Sequence, residues 1–366
     1  MTPAGGPRIL VVNTGSSTLK LRVLDGADGT VWDETIDPWD GDASPMAAAI
    51  ERAGAVDAVG HRVVHGGDRS APEPVTDDLI ERLAALTELA PLHQPRAVAA
   101  LRAARQSLPQ VPHVACFDTA FHATLPPAAR TYALPAAWRR QWGLPRYGFH
   151  GLSHAWVARH APAIAGVDPD ARIVSCHLGA GASACAISEG RSRDTTMGFT
   201  PLDGLVMATR SGSVDPGLLL WLLQSGRVSA DEAADQLARH AGLAGLSGTD
   251  GDVRTVLAAR ERGDHAAAEA IEVYLHRLRA TIAAMAAALA GIDVLAFTGG
   301  IGVHQPAIRA GAAAGLEFLG VGVDDGSNAA TLGDGEVSAT STTAHTVVVE
   351  AREDLVIADE VRSLIG

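Results

Sequence analysis

ILVVNTGSSTLK, at residues 9–20, is an apolar run that stops abruptly at a short loop of Gly and hydroxyl residues. The same pattern returns at IVSCHLGAGAS, residues 173–183, and at VLAFTGGIG, residues 294–302. Glycine lets backbone N–H groups approach an anion closely, and a strand end holds those groups in a fixed direction. Three such loops in one chain predict a protein that binds several phosphates from different sides.

The first loop ends at Lys20, the only lysine of the chain. This loop lacks the G-x-x-x-x-G-K-[ST] spacing of a P-loop, which disfavours a P-loop NTPase. The net charge of −13 comes with no basic stripe, so a nucleic-acid partner is not expected. A local group of arginines inside an acidic chain favours a small anionic ligand instead.

Length and cysteine usage indicate the general class of the protein. A chain of 366 residues is long for one core and natural for two lobes. Cys116, Cys176 and Cys185 form neither a disulfide framework nor a C-x-x-C spacing, and their apolar surroundings predict buried thiols. The apolar stretch near residues 280–297 is too short to span a bilayer. We therefore expect a cytoplasmic protein with no membrane partner.

The order of predicted elements repeats along the chain. A β-β-β-α-β-α unit begins near residue 8, and a second one begins near residue 171. Thr76 is placed to cap a helix over residues 76–90, and a closing helix is predicted over 353–364. Internal duplication of this kind predicts two similar α/β lobes, with ligands bound in a cleft at the carboxyl ends of the strands.

Four segments contain candidate chemical groups. Arg62 lies in GHRVVHGG beside two glycines and is either an anion ligand or a surface residue. Asp118 lies between apolar neighbours, where a carboxylate needs a partner, and a helix cap is the other interpretation. His150, in YGFHGLSH, is suited to donate to a phosphoryl oxygen, with a metal ligand or a structural role as alternatives. Arg210 lies in residues 194–216, a long stretch without clear periodicity that is typical of a functional loop.

Ten blocks of sequence match one known family. They are residues 12–20, 60–67, 91–95, 117–122, 147–154, 177–183, 194–216, 245–248, 297–302 and 353–355. Through these blocks the chain resembles the acetate kinase family of the actin-like/sugar-kinase phosphotransferase superfamily. The resemblance implies a duplicated actin-like (ribonuclease H-like) α/β fold, with a first lobe of residues 1–120 completed by 352–366 and a second lobe of 121–351. It also implies a homodimer that transfers the γ-phosphoryl group of ATP directly, in line, to acetate, with Mg²⁺ as cofactor and Mn²⁺ as the alternative metal.

The resemblance also implies roles for individual residues. Arg62 and Arg210 would hold the carboxylate and the transferring phosphoryl group, His150 would stabilise the transition state, and Asp118 would orient an arginine or the metal. Asn13 and Glu353 would organise the metal ion. The acyl pocket would consist of Arg62, Val64, Leu92, His93, Phe149 and Pro201. The nucleotide would contact Ser16, Thr18, Lys20, His177, Leu178, Gly179, Ala180, Gly181, Asp252, Val253, Arg254, Gly300, Ile301, Gly302, Val303 and His304.

Three positions depart from the family pattern, all of them on the nucleotide side. Ala180 stands where the family usually has Asn, Val253 where it has an aromatic residue, and Val303-His304 where it has Glu-Asn. The choice of phosphoryl donor among ATP, GTP and pyrophosphate therefore stays open. Propionate kinase is an alternative function, because one methylene is worth only about 1–3 kcal/mol. A non-enzymatic actin-like ATPase is the alternative from another class.

Overall fold

A computed structural model describes residues 6–15 and 18–366 of the chain. The described residues form two compact units. The first unit comprises Met1–Ala123, Phe149–Trp156 and Arg352–Gly366, and the second comprises Thr124–Gly148 and Val157–Ala351. This grouping places Phe149–Trp156 and residues 121–123 with the first unit, whereas the boundaries inferred from sequence place them with the second.

The elements follow in chain order. Up to residue 123 they are β1 (Ile9–Thr14), β2 (Leu19–Leu24), β3 (Thr30–Ile36), α1 (Ala43–Ala53), β4 (Ala58–Val63), β5 (Glu73–Pro74), α2 (Asp77–Ala84), α3 (Gln94–Ser107) and β6 (His113–Phe117). Then come α4 (Pro127–Arg130), α5 (Ala136–Trp142), α6 (Gly151–Ala165), β7 (Ile173–Leu178), β8 (Ala182–Ser188), β9 (Arg191–Thr195), α7 (Pro216–Gln224), α8 (Ala230–Asp235), α9 (Gly242–Ser247), α10 (Val253–Glu261) and α11 (His265–Ala288). The last are β10 (Val294–Thr298), α12 (Gly299–His304), α13 (Pro306–Ala313), α14 (Asp325–Ala330), β11 (Gly335–Glu336), β12 (His345–Val348) and α15 (Glu353–Ile365).

The two units have sheets of the same design. The first sheet has the order β3-β2-β1-β4-β6-β5, and the second has β9-β8-β7-β10-β12-β11 when written from the corresponding edge. In each sheet the first three strands form an antiparallel meander, and the next two run parallel to the first strand of that meander. The predicted duplication is therefore confirmed at the level of strand order and direction.

In the first unit, the closing helix α15 packs directly on the sheet. Val356, Ile357 and Val361 of this helix lie in a buried cluster with Ile9 and Val11 of β1. Gly60 of β4 permits the contact, because a Cβ atom at that position would lie 2.4 Å from Cγ2 of Ile357. This packing holds the start of α15, where Glu353 lies, against the first unit.

Some element boundaries differ from the sequence prediction. Thr76 caps α2 as expected by accepting a hydrogen bond from the backbone N–H of Leu79, but the helix ends at Ala84 rather than near residue 90. Thr87 Oγ1 donates to the carbonyl of Ala84 at 2.7 Å and occupies an acceptor that a longer helix would use. In the part of the chain that the structure describes, no helix has the length and apolar character needed to cross a membrane.

Candidate active site

Arg62 and Asp118 form a buried ion pair at the carboxyl ends of two neighbouring strands. Arg62 lies near the end of β4, and Asp118 directly follows β6, which runs parallel to β4. The guanidinium Nη2 donates to Oδ2 at 2.7 Å, and Nε lies 3.2 Å from both carboxylate oxygens. The two side chains are only 14% and 1% exposed. The forked contact fixes the plane of the guanidinium group.

Burial and charge act in opposite directions on this pair. Burial raises the pKa of Asp118 to about 6, and the adjacent Arg62 limits the rise. Burial also acts to lower the pKa of Arg62, but the charges of Asp118 and Glu353 outweigh it and raise this pKa above its usual value. Both groups are therefore ionised at neutral pH.

Asn13 and Glu353 meet beside this ion pair. Asn13 Nδ2 donates to Glu353 Oε2 at 3.4 Å, although 340 positions separate the two residues. Arg62 Nη1 donates to Asn13 Oδ1 at 3.2 Å and lies 3.7 Å from Glu353 Oε2. Next to Glu353, Asp354 forms an ion pair with Arg22 of β2 at 2.7 Å, which fixes the start of α15. The Asn13 amide thus bonds to the Glu353 carboxylate through its nitrogen and to Arg62 through its oxygen, and the side-chain oxygens of this cluster are of the kind that Mg²⁺ prefers.

The expected acyl-pocket residues of the first unit occupy different environments. Val64 and Phe149 are buried, with exposed fractions of 5% and 1%, and the ring of Phe149 meets the ring of His65 edge-on at 5.4 Å. Leu92 and His93 are half-buried in the turn before α3. His150, expected to face the phosphoryl group, is also half-buried.

Gln94 supports this region and was not predicted from the sequence. Its fully buried amide donates to the carbonyls of His65 and Leu83, both at 3.0 Å, and accepts from the backbone N–H of His65 at 3.3 Å. Gln94 therefore fixes the loop that carries Val64 and His65. The signal available in the sequence was that Gln94 is polar but stands at the first position of α3, on the helix face that is otherwise apolar.

In the second unit, Arg210 and Pro201 lie in one long irregular segment between β9 and α7. Arg210 Nη1 donates to the carbonyl oxygen of Pro201 at 3.1 Å. Burial lowers the pKa of Arg210. The segment is attached to the second glycine loop, because the Ala208 N–H donates to the carbonyl of Ala180 at 3.1 Å. The sequence prediction of an ordered loop at this position is confirmed.

The second and third glycine loops are in contact within the second unit. Gly299 has a φ of +76°, and a Cβ atom there would lie 2.6 Å from the carbonyl oxygen of Leu178. Gly179 N–H donates to the Gly181 carbonyl at 3.0 Å and closes the second loop. Other expected nucleotide contacts in these loops differ in exposure: Ala180, Gly300 and His304 are exposed, His177 and Ile301 are half-buried, and Gly302 and Val303 are buried.

Several other expected nucleotide contacts have structural roles of their own. Asp252 caps α10 by accepting from the Arg254 N–H at 2.8 Å, and its carboxylate also pairs with the Arg254 side chain. Val253 is buried within α10. In the first loop, Gly15 N–H donates to the carbonyl of Thr18 at 2.7 Å, and Lys20 is exposed on β2. Ser16 lies outside the described residues.

Known proteins resemble the chain over most of its length. The acetokinase family matches residues 43–359. An acetate kinase from Synechococcus sp. is 46% identical over 330 residues, covering 89% of this chain and 80% of that protein. An acetate kinase from Deinococcus radiodurans is 40% identical over 390 residues, covering 98% of both chains.

Two solved structures have the same fold. The acetate kinase of Porphyromonas gingivalis has a TM-score of 0.89 at 32% identity and covers 99% of this chain and 100% of its own. A propionate kinase from Francisella tularensis has a TM-score of 0.88 at 32% identity and covers 97% and 98% of the two chains. With its duplicated sheets, the protein has the actin-like α/β fold of these enzymes. The family match over most of the chain and the identities of 40–46% show that the chain belongs to the acetokinase family.

Proposed function

We propose that this protein is a phosphotransferase that transfers the γ-phosphoryl group of ATP reversibly to acetate, giving acetyl phosphate and ADP. The observation that carries the proposal is the cluster of Arg62, Asp118, Asn13 and Glu353, which lies at the ends of the three strands β1, β4 and β6 and at the start of α15. A phosphoryl transfer needs alignment of the reactants and positive charge near the equatorial oxygens, rather than covalent help from the protein.

Arg62 is the group best suited to hold the reacting anions. Its guanidinium is fixed by Asp118 on one edge, and its Nη1 lies toward Asn13 and Glu353. A carboxylate acceptor is already a nucleophile at neutral pH, so the reaction requires no strong base. Asp118 therefore acts by orienting Arg62, and Arg210 and His150 supply further positive charge and hydrogen-bond donors to the transferring group.

The residues present fit a divalent cation. Asn13 and Glu353 carry hard oxygen donors within one hydrogen-bonded cluster, and Mg²⁺ commonly takes one or two such protein ligands beside waters and phosphate oxygens. When bound, the ion would supply positive charge that neutralises the phosphates.

For the nucleotide we favour ATP, held mainly by backbone groups of the glycine loops. Ala180 has no side-chain donor, and Val303 packs with Val337 and Val348 in a buried cluster, so neither side chain contacts a phosphate. Backbone N–H groups of glycine-rich loops supply most phosphate contacts in such sites. The loss of side-chain contacts is expected to weaken nucleotide binding or to relax base preference, by about 1 kcal/mol for each missing hydrogen bond.

Propionate is the alternative acceptor. The propionate kinase from Francisella tularensis matches the chain as well as an acetate kinase does, with TM-scores of 0.88 and 0.89. Val64 and Phe149 are apolar and buried, so they would suit the methyl group of acetate as well as the ethyl group of propionate. Propionate has one methylene group more than acetate, and one methylene is worth about 1–3 kcal/mol of binding free energy in an apolar pocket. The preference between the two substrates therefore depends on the volume of the pocket.

The decisive experiment is a hydroxamate assay for acyl phosphate. Acetate and propionate are each supplied with ATP, GTP or pyrophosphate, and kcat/KM is measured for every pair. Acetyl phosphate formed from ATP with the highest kcat/KM supports the proposal. A higher kcat/KM for propionate would favour the alternative acceptor, and activity with pyrophosphate alone would overturn the nucleotide assignment.

We further propose that the protein is a homodimer and that α7 lies in its interface. This helix carries Leu218, Leu220, Trp221 and Leu223, which are 37–55% exposed. These residues lie on different sides of the helix, and a helix that is apolar all round is typical of one covered by another protein surface. Light scattering of wild type and of Leu220→Glu tests this, and a dimer that persists in the variant would exclude α7.

The free, buried thiols of Cys116, Cys176 and Cys185 support a reducing, cytoplasmic setting.

A further inference from the structure

His150 has an unusual backbone conformation. Its φ is +57°, in the left-handed region that residues with a side chain rarely adopt. Such a conformation is strained and persists only where the surrounding structure enforces it. The residue lies at the start of α6, because its carbonyl accepts the hydrogen bond of the His154 N–H at 3.0 Å.

The peptide group that follows His150 is held by main-chain contacts. Gly151 N–H donates to the main-chain carbonyl of Asp118 at 2.8 Å. A Cβ atom on Gly151 would lie 2.1 Å from that oxygen, so the approach requires glycine. The His150–Gly151 peptide group is therefore fixed against Asp118, the residue that orients Arg62.

The peptide group that precedes His150 is held by a side chain. The carbonyl of Phe149 accepts a hydrogen bond from Nε2 of His122 at 3.0 Å. The dihedral angles of a residue are the relative orientation of its two peptide planes, so His122 and Asp118 together set the direction of the Cα–Cβ bond of His150. The same contact also sets the position of Phe149, whose ring packs against His65.

His122 is suited to this role by its surroundings. It is 1% exposed and follows Asp118 by four residues, with its own N–H bound to the carbonyl of Thr119 at 3.1 Å. Burial lowers the pKa of His122 to about 4, so the ring is neutral at the pH of the cell. Because a carbonyl oxygen only accepts, the proton of this neutral ring is on Nε2. The ring of His154 lies edge-on to it at 5.8 Å.

We propose that His122 is a positioning residue for phosphoryl transfer, which holds the Phe149–His150 peptide so that His150 meets the transferring group. This inference rests on the proposed function, because it takes His150 as a group that contacts the substrate. His122 itself is buried and would act through this peptide rather than on the reacting groups.

Two substitutions separate the hydrogen bond from the packing. Leucine fills a similar volume but cannot donate, whereas the amide of glutamine can reach the same carbonyl. We expect His122→Leu to lower kcat by about 10²-fold, the typical effect of misplacing a catalytic group by about 1 Å. KM for ATP should stay within about threefold, since no expected nucleotide contact is changed, whereas KM for acetate should rise, since the same hydrogen bond holds Phe149. His122→Gln should recover most of the lost kcat.

A double-mutant cycle tests whether His122 acts through His150. In a His150→Ala background, His122→Leu should change kcat by less than about twofold, because the group that it positions is already gone. The matched control is His113→Leu, another buried histidine of the first unit, which bonds to the Leu108 carbonyl at 3.0 Å. This control should lower stability in denaturant but leave kcat within about twofold.

The possible outcomes are distinct. Wild-type kcat in a folded His122→Leu protein, or an equal fold-loss in both backgrounds, would overturn the inference. If His122→Leu does not fold, the test rests on His122→Gln. A kcat of His122→Gln as low as that of His150→Ala would show that the amide donor does not rescue activity, and would contradict the inference. Wild-type kcat in His150→Ala would instead overturn the role of His150, and absence of acyl phosphate from the wild type would overturn the proposed function itself.

Discussion

Asn13 and Glu353 lie 340 positions apart in the chain, yet Asn13 Nδ2 donates to Glu353 Oε2 at 3.4 Å. The contact exists because α15 packs on β1 and β4, which places its first residue at the carboxyl end of the sheet. The pair lies next to Arg62, so a cation held there would adjoin the proposed anion site.

Replacing the carboxylate of this pair tests the metal site. We expect Glu353→Gln to raise the Mg²⁺ concentration for half-maximal velocity by at least about tenfold, because an amide is a weaker ligand for a hard cation than a carboxylate. Asp359→Asn removes a negative charge from the same helix at a position that is 48% exposed, and it should leave the Mg²⁺ dependence unchanged. Equal Mg²⁺ dependence in wild type and Glu353→Gln would exclude this residue as a ligand.

Arg62→Lys is expected to lower kcat by at least about 10²-fold, because lysine keeps the charge but loses the fork that Asp118 orients. The Asp118 carboxylate would still be paired with a cation, the ammonium group of the new lysine, so the variant should still fold. Steady-state kinetics and denaturant unfolding on the same sample separate the two effects. Arg52→Lys, which changes an exposed ion pair with Glu34, is the matched control and should leave kcat unchanged. Near-normal turnover in Arg62→Lys would contradict the proposed clamp.

Arg210→Ala should also lower kcat by at least about 10²-fold if this side chain binds the transferring group. Its Nη1 contact with the Pro201 carbonyl is lost as well, so KM for acetate is expected to rise. Arg227→Ala, which removes a guanidinium stacked over the exposed Trp221 ring in the same unit, provides a control. Turnover in Arg210→Ala within threefold of wild type would remove Arg210 from the site.

The raised pKa of Asp118 predicts a pH dependence of activity. Its pKa of about 6 lies above its usual value, so the carboxylate that orients Arg62 is lost as the pH falls through 6. We expect kcat/KM to fall about tenfold per pH unit below that point. On folding this group binds a proton more tightly, so between pH 6 and pH 4 its own contribution to stability increases as the pH falls. Circular dichroism at each pH should therefore show that activity is lost before the fold. An activity that is constant from pH 7 to pH 5 would contradict the assignment.

Gly60→Ala tests how α15 is docked. Its Cβ atom would lie 2.4 Å from Ile357 and 2.8 Å from Val361, so the helix must shift. We expect the free energy of unfolding to fall by about 1–3 kcal/mol, the usual cost of overpacking, and Gly60→Ala should cost less in an Ile357→Ala background, where the contacting Cγ2 atom is absent. Gly326→Ala, whose nearest contact is 3.4 Å away, should change stability by less than about 0.5 kcal/mol. No loss of stability in Gly60→Ala would show that the helix does not pack this closely.

Local signals sufficed for much of the fold. Apolar runs followed by glycine loops identified β1, β7 and β10, because a buried strand and a tight turn are both local features of sequence. The repeated order of elements identified the duplication. The strand β9 was missed, since its sequence RSRDT lies at a sheet edge and has no apolar periodicity.

The sequence by itself determined two α/β units of the same topology, the loops that border the site, and the family to which the chain belongs. Only the tertiary structure decided which groups meet: that Asp118 pairs with Arg62, that Asn13 reaches Glu353, and that His122 holds the peptide before His150. The reason is physical. Secondary structure follows from the periodicity of neighbouring residues, whereas these contacts join distant segments, and their distances and directions depend on how sheets and helices pack after the chain has folded.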